Sequence, residues 1–352
     1  MPITQQKFGE LDGRFIKAYC ISNANGLSAE LITFGARLVG LKAPDRQGNF
    51  EDIVLGLDDV ADYATTDHYF GASCGRYGNR IKNSEIKLNG KTYALSANEG
   101  GNHLHGGQKG LDKHIWAAFP DEVTNAVTFT HLSPDGDQGY PGEVLVKARY
   151  ELTDDNRLII TMTGTTDKPT VLNLVNHAYW NAAGHASGGL HDQLLTVEAD
   201  FYTPVAEELL TTGEILTVEG TPFDFRVAKP IGQDLDAVPN AGVAGLSGGG
   251  FDHNWVLRDL EGELRPVATL YDPKSGRGLS LRSTQPGVQI YTGGYITPMI
   301  MGKGNHPYCP YAGLTFETQK FPCAPSIPHF PSTRLDPGQV YEHVMEYKFF
   351  AR

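Results

Sequence analysis

Apolar residues alternate with a period of two along much of the chain, while helical periodicity is scarce, and this restricts the fold to sheets. Val144, Val146, Ala148, Tyr150 and Leu152 fall on one face of an extended segment. After a turn at Asp154-Asp155-Asn156, Leu158, Ile160 and Met162 share the face of a return strand, so a hairpin is expected between Glu143 and Thr163. A second hairpin is expected where Ile86-Lys87-Leu88 and Lys91-Thr92-Tyr93-Ala94-Leu95 flank Asn89-Gly90, a pair suited to the positive φ values of a type I′ turn. Further short strands are expected at 28–34, 125–131, 171–176, 194–200, 253–258, 266–271, 278–283 and 287–292, at spacings typical of all-β sandwiches. A short helical turn is expected only near 57–63. The 41 Gly and 21 Pro supply turns, and 16 Tyr, 16 Phe and 3 Trp favour strands. There is no convincing repeat or low-complexity linker, and glycine-rich 244–250 reads as a flexible loop, so residues 1–352 are expected to form one large all-β domain.

Charge and hydropathy exclude several partners. With 29 basic against 41 acidic side chains, a net charge of -12 and no basic run, nucleic-acid binding is not expected. Apolar runs are only a few residues long, far short of the ~18 that suggest a membrane span. The N-terminal MPITQQKFGELDGRF lacks the basic start, apolar stretch and cleavage site of a secretory signal, so a cytoplasmic address is expected. Cys20, Cys74, Cys309 and Cys323 have no metal or redox spacing and read as ordinary thiols.

Four polar clusters carry candidate chemistry. Gly75-Arg76-Tyr77-Gly78-Asn79-Arg80-Ile81 brings two guanidinium groups and an amide together, either to grip vicinal oxygens of a ligand or as a solvated loop. In Asn102-His103-Leu104-His105-Gly106-Gly107, an H-x-H on a strand points both imidazoles to one face. That suits a metal, a polar ligand or a structural role, although no carboxylate follows within the next few residues. Asn176-His177-Ala178-Tyr179-Trp180-Asn181 sets a histidine able to transfer protons at neutral pH beside aromatic rings on which a sugar face can pack, or else buries a core histidine. Glu317, in Thr315-Phe316-Glu317-Thr318-Gln319, is either a buried functional carboxylate or a solvent-facing one. Phe251-Asp252-His253-Asn254 and Gln285-Pro286-Gly287-Val288-Gln289-Ile290-Tyr291 add hydrogen-bonding side chains beside turns.

In this order, GRYGNRI (75–81), LNGKTY (88–93), NHLHGG (102–107), NHAYWN (176–181), FDHNW (251–255), QPGVQIYTG (285–293) and TFETQ (315–319) resemble the aldose 1-epimerases. The resemblance implies a large antiparallel β-sandwich of the galactose mutarotase type, a supersandwich, with a free aldose monosaccharide bound in an open cleft. It implies interconversion of α and β anomers without cofactor or metal, and so a rate insensitive to chelators. Matching motifs would make Glu317 the general base and His177 the general acid, with His105, Arg80, Asn79, Asp252 and Gln289 binding substrate. Arg76 matches a common family residue for which no direct sugar contact is implied. Gly293-Gly294 and the loop from Ile296 to Pro310 depart from the family pattern, and because the loop precedes Glu317 the resemblance does not extend to substrate preference at the cleft rim. A glycoside hydrolase or lyase using Glu317 with Asp252, or a non-catalytic sugar-binding domain, are the alternatives on the same sandwich. A monomer or homodimer is expected.

Overall fold

The computed structural model describes residues 2–238, 249–259, 261–296 and 299–352, so most of the glycine-rich loop expected at 244–250 lies outside the described residues. Two antiparallel sheets dominate. The larger has nine strands in the order Ala117–Asp121, Ala126–Ser133, Val144–Leu152, Arg157–Thr166, Tyr341–Ala351, Arg277–Ser283, Arg265–Tyr271, Leu194–Val197 and Lys229–Pro230. The smaller has six, in the order Tyr179–Trp180, Leu314–Gln319, Gly287–Tyr291, Asp252–Leu257, Ala199–Thr203 and Leu216–Thr217. A five-stranded meander from Thr4 to Asp52 adds a third sheet.

Alternation decides how the two main sheets meet. The expected hairpin forms with Val144↔Thr166 through Leu152↔Leu158 in register, and its alternate residues are buried. Those residues join Leu279, Leu281, Met345 and Tyr347 in a core shared with Trp180, Val288, Ile290, Leu314 and Phe316 of the six-stranded sheet. The joint is aromatic: the Trp180 ring centroid lies 4.8 Å from that of Tyr347 and 5.8 Å from that of Phe349. Polar contacts cross it too, between Thr318 Oγ1 and His343 Nε2 at 2.7 Å and from the Tyr347 hydroxyl to the Phe316 carbonyl at 3.5 Å.

Most expected strands form, but two divide. The 171–176 segment becomes Thr170–Val171 and Val175–Asn176, which pair with different partners, Arg334–Leu335 and Ser73–Cys74. The 194–200 segment breaks at Glu198, where the chain leaves the nine-stranded sheet and enters the six-stranded one. A bulge between Ala199 and Phe201 accompanies the change. The helical turn spans Val60–Thr65, capped by Asp59, whose side chain accepts from the Ala61 backbone N–H. No helix among the described residues is long and apolar enough to cross a membrane.

Candidate active site

Because side chains alternate across a strand, packing one face of Leu314–Gln319 on the large sheet turns the other face outward. Phe316 and Thr318 meet Tyr347 and His343, so Thr315, Glu317 and Gln319 point the opposite way. Cross-strand register extends that polar face in rows: Glu317 opposes Gln289, which opposes Asn254, and Thr315 opposes Tyr291, which opposes Asp252. This face forms one wall of a cleft of about 850 Å³, lined by Tyr69, Asn79, Arg80, Glu99, His105, His177, Tyr179, Asp252, Tyr291 and Glu317, among others.

The opposite wall comes from chain forced into unusual backbone geometry. Tyr69, Asn79 and His105 all adopt left-handed φ values, 53°, 64° and 50°. None is glycine, and strain of this kind is typically held at functional sites. The strand at His103–Leu104 ends as His105 turns, and Gly106 follows at φ 94°. A Cβ at Gly106 would stand 1.8 Å from the Gly75 carbonyl oxygen, so only glycine permits this approach.

That turn overturns the expectation that His103 and His105 share a face. His103 is fully buried, its Nδ1 2.7 Å from the Ser96 carbonyl and its Nε2 2.6 Å from the Tyr140 hydroxyl. It is a structural histidine. The arginine pair divides likewise. Arg76 is buried and spends Nε, Nη1 and Nη2 on Ser133, Pro134 and Pro141, holding that loop, while Arg80 faces the cleft.

At the cleft floor, His177 Nε2 lies 3.5 Å from Glu317 Oε1, and His105 Nε2 lies 4.0 Å from Glu317 Oε2. Thr315 Oγ1 donates to Glu317 Oε1 at 3.2 Å, leaving Oε2 without a partner. Burial, reinforced by the Asp252 charge, pushes the Glu317 carboxyl up to about 8. Burial, with Arg37 and His68 nearby, pushes His177 down to about 3, and His105 is also held well below the usual imidazole range by burial and its cationic neighbours. Near neutrality the Glu317–His177 pair therefore holds one proton, on the carboxyl.

His105, His177 and Glu317 bring ligand atoms within 4.8 Å of one another, a spacing a metal ion could bridge. The hydrogen bonds oppose that use. The Asn79 backbone N–H donates to His105 Nδ1 at 3.2 Å, which places the proton of the neutral ring on Nε2. His105 thus aims a donor into the cleft, whereas a ligating histidine would keep that nitrogen's lone pair free.

Beside the trio, Asp252 Oδ1 accepts from Gln289 Nε2 at 2.6 Å, and Asp252 Oδ2 lies 3.9 Å from Arg80 Nη1. Arg80 is held by Glu99 through two contacts of 2.7 Å. The site thus gathers Glu317, His177, His105, Arg80, Asn79 and Asp252 at one cleft. Gln289 is adjacent, its Nε2 donating to Asp252 while its buried Oε1 has no hydrogen-bond partner. Sequence reading missed Tyr69 and Glu99. Nothing local flags Tyr69, whereas Glu99, in a turn beside the NHLHGG motif, carried a positional signal. The loop from Ile296 to Pro310, which departs from the family pattern, is described except at 297 and 298. Residues 299–310 do not line the cleft, and Lys303 is anchored away from it on Asp52 and the Val39 carbonyl.

The aldose 1-epimerase family model matches residues 17–348. The chain belongs to the aldose 1-epimerase family. It is 41% identical to bovine galactose mutarotase, over 92% of this chain and 91% of that one. It is 38% identical to human galactose mutarotase, over 99% and 98%. The crystal structure of an aldose epimerase homologue from C. elegans superposes with a TM-score of 0.84 at 32% identity, covering 94% of this chain and 98% of that one. The fold is thus the galactose mutarotase type, and the activity class of this family is isomerisation.

Proposed function

We propose that this aldose 1-epimerase interconverts the α and β anomers of free aldoses, D-galactose and D-glucose among them, with Glu317 as general base and His177 as general acid. The observation that carries this reading is the buried pair itself, Nε2 and Oε1 3.5 Å apart on the floor of an open polar cleft. O1 and O5 of an aldopyranose are bonded to the same carbon, so the groups serving them must be neighbours.

In the reacting tautomer the pair's single proton sits on His177, whose Nε2 lies 3.5 Å from Glu317 Oε1, and the ionised Glu317 takes the proton from the C1 hydroxyl as the C1=O1 double bond forms. The C1–O5 bond breaks, and O5 takes a proton from His177. Rotation about C1–C2 presents the other carbonyl face, and the same transfers in reverse close the ring. At the open-chain stage Glu317 is protonated and His177 neutral, which is the arrangement burial favours in the free protein. The desolvated floor therefore makes the charged pair the minor, reactive tautomer, which returns to the neutral arrangement as the ring opens.

His105 donates from Nε2 to oxygens near the ring, while Arg80, Asn79 and Asp252 bind the remaining hydroxyls. Gln289 supports this set through Asp252. The aromatic rings of Tyr69, Tyr179 and Tyr291 offer faces for the C–H surface of the sugar. A hydrolase reading is less well supported, because Asp252, the second carboxylate it would need, is engaged by Gln289 and faces Arg80. The chain acts as one domain, monomeric or homodimeric, in the cytoplasm, without a resident metal.

The test is substitution of the pair. Glu317→Gln and His177→Asn should each lower kcat by at least ~10²-fold with the circular dichroism spectrum unchanged. Near-normal rates in both variants would refute the role assignment.

A further inference from the structure

Arg80 and Asp252 line the same cleft with opposite charges, yet no hydrogen bond joins them: Nη1 and Oδ2 stand 3.9 Å apart. An unrestrained guanidinium would close that gap. Glu99 holds it back, taking the Nε and Nη2 protons of Arg80 in a bidentate pair at 2.7 Å each. Asp252 is restrained from its other side by Gln289.

Glu99 is itself fixed. Its backbone N–H donates to the Asn102 carbonyl and its carbonyl accepts from the Asn102 N–H, at 3.2 Å and 2.9 Å. The preceding Asn98 side chain both accepts from and donates to the Leu104 backbone. Asn102 is tied onward, donating to Glu208 Oε2 at 2.7 Å and accepting from the Asn83 N–H at 3.0 Å.

We propose that Glu99 is a positioning residue for sugar recognition: by clamping the Nε/Nη2 edge of Arg80 it keeps the Arg80–Asp252 pair open, leaving one donor and one acceptor for adjacent hydroxyls of the aldose. A hydroxyl both donates and accepts, so a vicinal diol can lie across the pair from the cleft side, one oxygen accepting from Nη1 and the other donating to Oδ2. Without Glu99, the guanidinium closes onto Asp252 and the diol must break that ion pair to bind. The inference rests on the reading above in which Arg80 and Asp252 bind hydroxyls.

The experiment is steady-state mutarotation by Glu99→Ala and Glu99→Gln, with Asp252→Asn alongside. Each enzyme is assayed on D-galactose and its 2-, 3-, 4- and 6-deoxy derivatives, and its Tm is recorded. Glu99→Ala should raise KM for galactose about ten-fold, as expected for losing a charge-assisted contact, with kcat within about two-fold of the parent. Glu99→Gln keeps one acceptor on Arg80 and should raise KM less. The KM penalty for deoxygenation should shrink in Glu99→Ala at the positions the pair meets, and be unchanged elsewhere. An unaltered KM in Glu99→Ala, or a fall in kcat that tracks a lowered Tm without a change in the deoxy profile, would overturn the proposal. Asp252→Asn separates the two levels. If it raises KM and Glu99→Ala does not, only the clamp is wrong; if it leaves KM unchanged, the hydroxyl-binding reading itself fails.

Discussion

Glu317 and His177 are both pushed by burial towards their neutral forms, the carboxyl up to about 8 and the imidazole down to about 3. Between those limits the pair holds one proton, which is what a reaction alternating one acid and one base needs. Above about 8 the carboxyl loses that proton and the pair is empty; below about 3 a second proton binds the imidazole. Hence kcat/KM should be level through neutrality and fall as pH rises beyond about 8, losing up to ten-fold per pH unit. A stopped-flow polarimetric pH profile checks this. A steep decline between pH ~6 and ~5 with the fold intact would contradict it, because that range belongs to an unperturbed histidine. His105, fixed as an Nε2 donor by the Asn79 N–H, should matter for binding more than for proton transfer. His105→Asn is therefore expected to lower kcat/KM less than His177→Asn does, in the same assay.

The strand Leu314–Gln319 shows how an element carries function. Its inner residues, Leu314, Phe316 and Thr318, anchor it to the nine-stranded sheet, and that anchoring aims Glu317 at the cleft. Phe316→Ala should cost about 3–5 kcal/mol of stability by leaving a cavity under the strand, and should lower kcat as Glu317 loses its fixed position. Urea unfolding and turnover of the variant read both effects, and unchanged turnover would show that Glu317 does not depend on this packing. Alternation made the hairpin at 144–166 legible in the sequence, because it buries one face only, and the Asn89-Gly90 turn, with φ of 52° and 74°, marked the one at 85–94. It could not show the break at Glu198, where the same apolar pattern is shared between two sheets. The error over His103 has a related cause: period-2 reasoning assumes a continuing strand, and the left-handed turn at His105 is set by a close approach to Gly75 from far along the chain. Glu317 and His177 were legible as unusual polar residues among apolar ones, and motif order supplied their roles. Tyr69 was hidden, since its importance arises only from what the fold places beside it, and Glu99 was marked only by its place beside the NHLHGG motif.

Across the whole molecule, residues distant in sequence meet because the two main sheets share one continuous core. That core includes Trp180, Ile290 and Phe316 from one sheet and Leu281, Met345 and Tyr347 from the other. Such continuity predicts that the sheets unfold together. Far-ultraviolet circular dichroism and tryptophan fluorescence should therefore trace coincident urea transitions, and two separated transitions would contradict a single domain. The buried Glu317–His177 pair and the surrounding Arg80, Asn79 and Asp252 then line one cleft about 850 Å³ in volume. The most direct test of the account is polarimetry on freshly dissolved α-D-galactose and α-D-glucose, with and without the protein, in the presence of EDTA. An aldose 1-epimerase with this proton-sharing pair should accelerate the decay to the usual equilibrium rotation, and EDTA should leave that rate unchanged. No acceleration with either hexose would contradict it.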